Sequence, residues 1–285
     1  MVDQVISLKV EQHPRDAVNM TYVYPVVSRR SGGVSVGINL NPNRACNWHC
    51  AYCQVPNLQR GSAPTIDLAQ LERELVSLLT DLVQGDFMLR HVPESARHLR
   101  DIALSGDGEP TSAKEFPQVI ELVARVRAQF GLQDSVKLVV ISNGSLIDRA
   151  PVRAGLRTLA AHGGQLWFKM DSVTPAGLRR MNGTRMSPER LQRNFRMALS
   201  LCPTWIQTCV LAWDGEPPPL AEQTAYLDFV CSLKGNSGLQ GVLLYGLARP
   251  SMQPEAVHLS ALPQAWLENY AAQIRACGIP ARVFV

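Results

Sequence analysis

The chain has 285 residues, enough for one large core, and its apolar fraction of 46% is ordinary for a globular protein. A net charge of +4 does not by itself mark a polyanion-binding protein, no run of about 18 apolar residues predicts a membrane span, and the start MVDQVISLKV lacks the basic and then apolar regions of a secretory leader. Seven cysteines, an odd number with three of them clustered, point to a reducing, cytoplasmic setting and away from a disulfide framework.

Residues 1–33 read as a short N-terminal extension, a strand or arm across the rest, ending in Ser28-Arg29-Arg30-Ser31-Gly32-Gly33. Beyond it, apolar and β-branched runs alternate with helical patterns. Strands are predicted at 34–39, 101–105, 136–142, 165–171, 205–212 and 240–245. Helices are predicted at 67–83, 114–129, 147–161, 188–201, 220–233 and 263–277. Asp67 ahead of the stripe Leu68, Leu71, Leu75, Leu78, Leu79 and Leu82 is an N-cap, and Ser187-Pro188 is an N-cap with proline at the first helical position. A basic insertion at 85–100 and a turn at 214–219 stand outside the alternation. Arg179, Arg180, Arg185, Arg190, Arg193 and Arg196 share one stretch with a single acid, Glu189; they read as a solvated helix face or as a phosphate-facing surface.

Six strand-then-helix units call for parallel strands with crossover helices. The expected fold is α/β: a partial, TIM-like (β/α)6 barrel of parallel strands over residues 34–285, preceded by the extension, with a doubly wound open sheet as the alternative. Chemistry in such folds gathers at the C-terminal ends of the strands. The unusual residues do follow strands. After the first comes the loop Cys46-Asn47-Trp48-His49-Cys50-Ala51-Tyr52-Cys53. Three thiolates this close can hold three corners of a [4Fe–4S] cube and leave the fourth iron open. A structural zinc site is the alternative, but it needs four ligands, and no second cysteine pair follows; His49 is the one further donor in the loop. Cys202, Cys209, Cys231 and Cys277 are scattered and read as small buried hydrophobes.

Gly106-Asp107-Gly108-Glu109-Pro110 follows the second strand, where glycine permits close backbone approach and proline fixes a turn. Asn143 ends the third strand, and Asp171 the fourth. Lys169, two residues before Asp171, falls on the same side of the strand in an otherwise apolar run. A lysine there is costly to bury unless paired, so Lys169 and Asp171 read as a site pair. Tyr245-Gly246-Leu247-Ala248-Arg249-Pro250 follows the sixth strand.

The C-x3-C-x2-C spacing with an aromatic before the last cysteine, the Gly-Glu-Pro after strand two and their order resemble the radical S-adenosylmethionine (SAM) superfamily over residues 34–250. The resemblance implies that Cys46, Cys50 and Cys53 ligate the [4Fe–4S] cluster and that Tyr52 lies against the adenine of SAM. It implies that Gly106, Gly108, Glu109 and Pro110 bind the methionine amino group, largely through backbone, and that Asn143 and Asp171 serve the ribose or the carboxylate. Lys169 and Arg249 are then the catalytic candidates, Arg249 meeting an anion of the substrate or of SAM. One electron from a donor such as flavodoxin or ferredoxin would cleave SAM to methionine and a 5′-deoxyadenosyl radical, which would take a hydrogen atom from the substrate. The block 28–40, the Asp-Gly-Glu-Pro-Thr segment and the late Ala-Arg-Pro resemble proteins related to wyosine synthases, which modify a tRNA guanosine. The chain departs from true wyosine synthases: its first 45 residues hold no cysteine. RNA is accordingly one substrate class and a peptide or protein, matured or activated, the other. A non-catalytic iron–sulfur or zinc protein is the reading from another class.

Overall fold

The computed structural model describes Leu8 and residues 18–285. The strands are β1 (Val23–Ser28), β2 (Gly33–Ile38), β3 (Ala45–Cys46), β4 (Gln59–Arg60), β5 (Leu99–Leu104) and β6 (Lys137–Ser142). They continue with β7 (Gln165–Lys169), β8 (Thr204–Cys209), β9 (Ala212–Trp213), β10 (Leu239–Tyr245), β11 (Leu259–Ser260) and β12 (Ala281–Phe284). The helices are α1 (Leu68–Val83), α2 (Phe87–His91), α3 (Phe116–Gln129), α4 (Ala150–Ala161), α5 (Pro175–Asn182), α6 (Pro188–Leu199), α7 (Leu220–Cys231) and α8 (Gln264–Ala276).

One eight-stranded sheet, in the order β1-β2-β5-β6-β7-β8-β10-β12, curls into a half-barrel. The six expected strands, β2 to β10, are adjacent and parallel, which the crossover helices impose. The main sheet has two strands beyond these six. β1, within the extension read as a strand or arm, lies antiparallel on β2, and β12, which was not expected, adds a parallel edge after α8. The earlier part of the extension, Leu8 apart, lies outside the described residues. The insertion at 85–100 contains α2 and a 3-10 turn, Glu94–Ala96.

The helix starts follow their caps. Asp67 accepts a hydrogen bond from the Gln70 amide at 2.9 Å, and Ser187 accepts one from the Arg190 amide at 3.3 Å. Leu71, Leu75, Leu78, Leu79 and Leu82 of α1 are all buried in the main core. Burying each contributes about 1.5–3 kcal/mol, enough to fix α1 on the sheet. Inside the barrel, side chains alternate in layers. Ala103, Val139, Trp167 and Leu243 form an apolar floor.

The cysteines correct one expectation. Cys231, the last residue of α7, and Cys277, just after α8, form a disulfide with their Cα atoms 5.1 Å apart. The two helices are consecutive crossovers, so their last turns come together despite a sequence separation of 46. Cys202 and Cys209 are free and buried, as small hydrophobes are. Among the described residues, no helix is long and apolar enough to cross a membrane.

Candidate active site

The cysteine loop begins seven residues after β2 and is held mainly through its backbone. Cys46 belongs to β3, which pairs with β4. The His49 and Ala51 amides donate to the carbonyls of Asn182 and Met181 at the end of α5, at 3.1 and 2.9 Å. Gly183 closes α5 with φ of +55°, and a Cβ there would stand 2.4 Å from the His49 oxygen, so only glycine lets the helix end approach the loop. From the other side, Ser251 Oγ donates to Ala51 O at 2.6 Å, Gln253 Nε2 to Val55 O at 2.8 Å, and the Met252 amide to Cys53 O at 2.9 Å.

The loop after β5 packs against this one. A Cβ on Gly108 would fall 2.1 Å from Ala45 O, and one on Gly106 would fall 2.3 Å from Asn39 Oδ1. The two glycines therefore let this loop pack directly against residues 39–45, beside the cysteines. Glu109 is buried and accepts from the Thr111 amide (3.1 Å), Thr111 Oγ1 (2.5 Å), Ser142 Oγ (2.7 Å) and the Asn143 amide (2.7 Å). Burial pushes its pKa above the ordinary carboxylate range even against these donors. Its carboxylate ties the loop to the end of β6, with Pro110 opening a 3-10 turn behind it. Asn143 Nδ2 donates to Asn47 Oδ1 at 2.8 Å, joining β6 to the cysteine loop.

One cavity of about 270 Å³ is lined by Cys46, Cys50, Cys53, Tyr52, Gly106, Gly108, Glu109, Asn143, Lys169 and Arg249. Ten of the twelve expected site residues thus meet in one place, Pro110 and Asp171 being the two that do not. Asp171 lines a second cavity, of about 130 Å³. Its oxygens accept from the Cys209 amide (2.8 Å), from Asn182 Nδ2 (2.6 Å) and from the Tyr52 hydroxyl. Asn182 Nδ2 also lies 3.4 Å from Cys50 Sγ. Asp171 is therefore a clamp on the cysteine loop, and its carboxylate is already committed.

Lys169 and Asp171, read as a site pair, make no direct ion pair, though both contact Tyr52. β7 ends at Lys169, so strand alternation no longer governs residue 171. Lys169 Nζ instead stands 4.7 Å from the centroid of the Tyr52 ring. Burial alone would lower its pKa, but the acidic groups around it, Tyr245, Cys50, Asp171 and Cys209, raise it on balance, and the ammonium stays protonated. The arginine stretch is partly structural. Arg180 lies 3.6 Å from Glu222, Arg190 lies 2.9 Å from Asp148, and Arg196 stacks on Phe229.

The donor set fits a cluster better than a single ion. Among the described residues, no three His, Cys, Asp or Glu side chains converge on one point, as a closed zinc site requires. The three thiols instead line one cavity as separate donors, together with Gly106 and Gly108, which suits a cube that takes each at a different iron. Burial pushes Cys46 up to about 12 and Cys50 up to about 11, so both thiols are protonated until a cation holds them as thiolates. Asn47, Asn182, Ser251 and Gln253 escaped the sequence reading. Only the Asn182-Gly183 pair carried a signal, as a helix C-cap.

Residues 40–216 match the model of the Radical SAM superfamily. The chain belongs to the radical SAM superfamily. Membership implies a [4Fe–4S] cluster and SAM as cofactors and the need for an electron donor. The chain is similar to the UPF0026 protein slr1464 of Synechocystis, 28% identical over 230 residues, 76% of this chain and 74% of the relative. It spans 17%, 38% and 40% of the length of three other curated relatives. The same fold occurs in a radical SAM methyltransferase from Sphaerobacter thermophilus (TM-score 0.57, 14% identity, 88% of this chain and 66% of that one). It occurs also in anSMEcpe, solved with AdoMet and a peptide (TM-score 0.55, 15% identity, 87% and 63%). The cysteine loop follows β2, the first of the parallel strands.

Proposed function

We propose that this chain is an enzyme that cleaves SAM reductively and takes a hydrogen atom from a substrate reaching into the barrel. The observation that carries this reading is the convergence of the three cysteines, Gly106, Gly108 and Lys169 on one cavity at the C-terminal ends of the strands. When bound, the cluster and SAM supply a one-electron cleavage to methionine and a 5′-deoxyadenosyl radical. The protein's own residues do the rest. Cys46, Cys50 and Cys53 are the cluster ligands, and the amide edge at 106–110 receives the methionine end of SAM. Tyr52, held by Asp171, offers its ring, and Arg249 offers a cation at the rim. The electron comes from a carrier such as flavodoxin or ferredoxin, and the setting is the cytoplasm.

RNA is the substrate class we favour. Arg44 and Arg60 flank the cysteine loop, and Arg185 follows the α5 end that supports it; all three are exposed. The resemblance of the 28–40 block to wyosine-related proteins points the same way. Retention of tRNA that weakens steeply with salt would support it over a peptide substrate.

The chemistry is tested by loading the protein with iron and sulfide without oxygen, adding SAM and dithionite, and measuring 5′-deoxyadenosine by mass spectrometry. The nucleoside is expected from the wild type and from Cys202→Ala, and not from Cys50→Ala. Zinc retained in place of iron, or loss of all iron from Cys202→Ala, would overturn the assignment.

A further inference from the structure

Below the cysteine loop, the barrel interior changes from apolar to cationic. One layer above the floor, Lys169 of β7 and Gln207 of β8 are direct register partners, and Tyr245 of β10 lies beside Cys209 two residues further up β8. Arg30 enters from the β1–β2 connection. Its guanidinium stands 5.4 Å from the ring centroids of both Trp167 and Tyr245. Arg30, Lys169, Gln207 and Tyr245 all line the 270 Å³ cavity.

The polar groups of this layer are unfilled. Among the described residues, neither Arg30 nor Lys169 makes a hydrogen bond or a direct ion pair; their close contacts are with aromatic faces, and Asp101 and Asp171 act on them only from a distance. Gln207 is 1% exposed, yet its Oε1 is buried without a partner. The carboxylates nearby are engaged. Glu109 is saturated by its four donors, Asp107 accepts from Asn39 Nδ2 at 2.7 Å, and Asp101 accepts from Ser35. Aromatic faces stabilise a cation by about 0.5–2 kcal/mol but leave its N–H donors unmet. Two such cations and one orphaned acceptor in one cavity describe a site built for a ligand carrying negative charge.

We infer that Arg30, Lys169 and Gln207 form a subsite for an anionic group, phosphate or carboxylate, on the substrate; this rests on the radical SAM reading above. Arg30 supplies a planar fork that matches two anion oxygens, Lys169 supplies a point charge, and Gln207 accepts from a neighbouring N–H or O–H. The backbone of Arg30 precedes β2 and the cysteine loop follows it, so Arg30 reaches the shared cavity from the opposite end of that strand. On this ground the anion is assigned to the substrate rather than to SAM, and SAM is kept present in the test below; Lys169, against the Tyr52 ring, can serve either ligand.

The test is calorimetric binding of pyrophosphate and of malonate to the cluster-loaded protein with SAM present. The wild type is expected to bind at least one of them, and the preferred one identifies the anion as phosphate or carboxylate. Arg30→Gln should weaken that binding by about tenfold or more, Arg30→Lys should restore part of it, and the exposed Arg193→Gln should leave it unchanged. Equal binding by Arg30→Gln and the wild type, or no binding of either probe by a wild type with native thermal melting, would overturn the subsite. Anion binding through Arg30 in a protein that never cleaves SAM would uphold the subsite while the radical SAM reading fails.

Discussion

At the rim of the barrel, the acids Glu109 and Asp171 have every useful lone pair taken by the protein itself. One layer down, Arg30, Lys169 and Gln207 have almost nothing. Glu109 and Gln207 are buried, while Asp171, Arg30 and Lys169 are half-buried and face cavities, so burial does not separate the two layers and the difference is one of assignment. A buried polar group left unpaired loses about 1–3 kcal/mol, and a fold retains that loss where a ligand will make it good. The rim is thus a frame that fixes the cysteine loop, and the lower layer is the surface offered to a substrate. Sequence alone does not separate the two sets, since Glu109, Asp171 and Lys169 all read there as site residues.

The sharpest way to break the comparison is Asp171→Ala. It strips the acceptor from the Tyr52 hydroxyl, the Cys209 amide and Asn182, and it frees the Asn182 amide from its place against Cys50 Sγ. Groups that orient metal ligands from behind typically matter by 10–100-fold in affinity. A loss of about that size is expected in iron retained against a chelator, with the cysteines untouched. Wild-type retention would mean that Asp171 belongs with the ligand-binding groups after all.

Glu109→Gln is the next in size. The amide offers two donors where the carboxylate met only donors, so either the Asn143 amide alone, or Thr111 N, Thr111 Oγ1 and Ser142 Oγ together, lose their acceptor and face an N–H instead. A destabilisation of about 2–3 kcal/mol is expected, read as a lower urea midpoint at unchanged slope. A neutral result would show that the site tolerates a ligand-like rearrangement and is not a frame.

Much of this was legible in the chain. Parallel strands buried on both faces leave long apolar runs, and the three cysteines needed no fold to be noticed. What escaped has physical causes. β1 was read only as a strand or arm without bounds, since Pro25 demotes a run to an edge strand, and β12 is four residues long. α5 has eight residues including Gly177, too few to show a period. The Cys231–Cys277 pairing depends on two helix ends meeting in space, which spacing does not encode. Lys169 and Asp171 make no direct pair because the strand ends before residue 171. Arg30 was invisible for a related reason: a turn residue enters the barrel only because β1 folds back on β2.

The smallest expected effect concerns Asp101, an acid that sits with the lower layer without belonging to its ligand-binding set. Burial raises its pKa above the ordinary carboxylate value, against the pull of Ser35, Ser31, Arg30 and Lys137. The folded state therefore binds this proton more tightly than the unfolded chain does. The sign follows: the stability it contributes is full below the unfolded carboxylate pKa and is lost as pH rises through the window up to the folded value. Asp101→Asn cannot titrate, so its urea midpoint should fall less than that of the wild type across that window and lie level or higher above it. A steeper fall in the variant would mean that the Asp101 carboxylate is a needed counter-charge for Arg30. The lower layer would then be internally paired like the rim, and the contrast between the two would vanish.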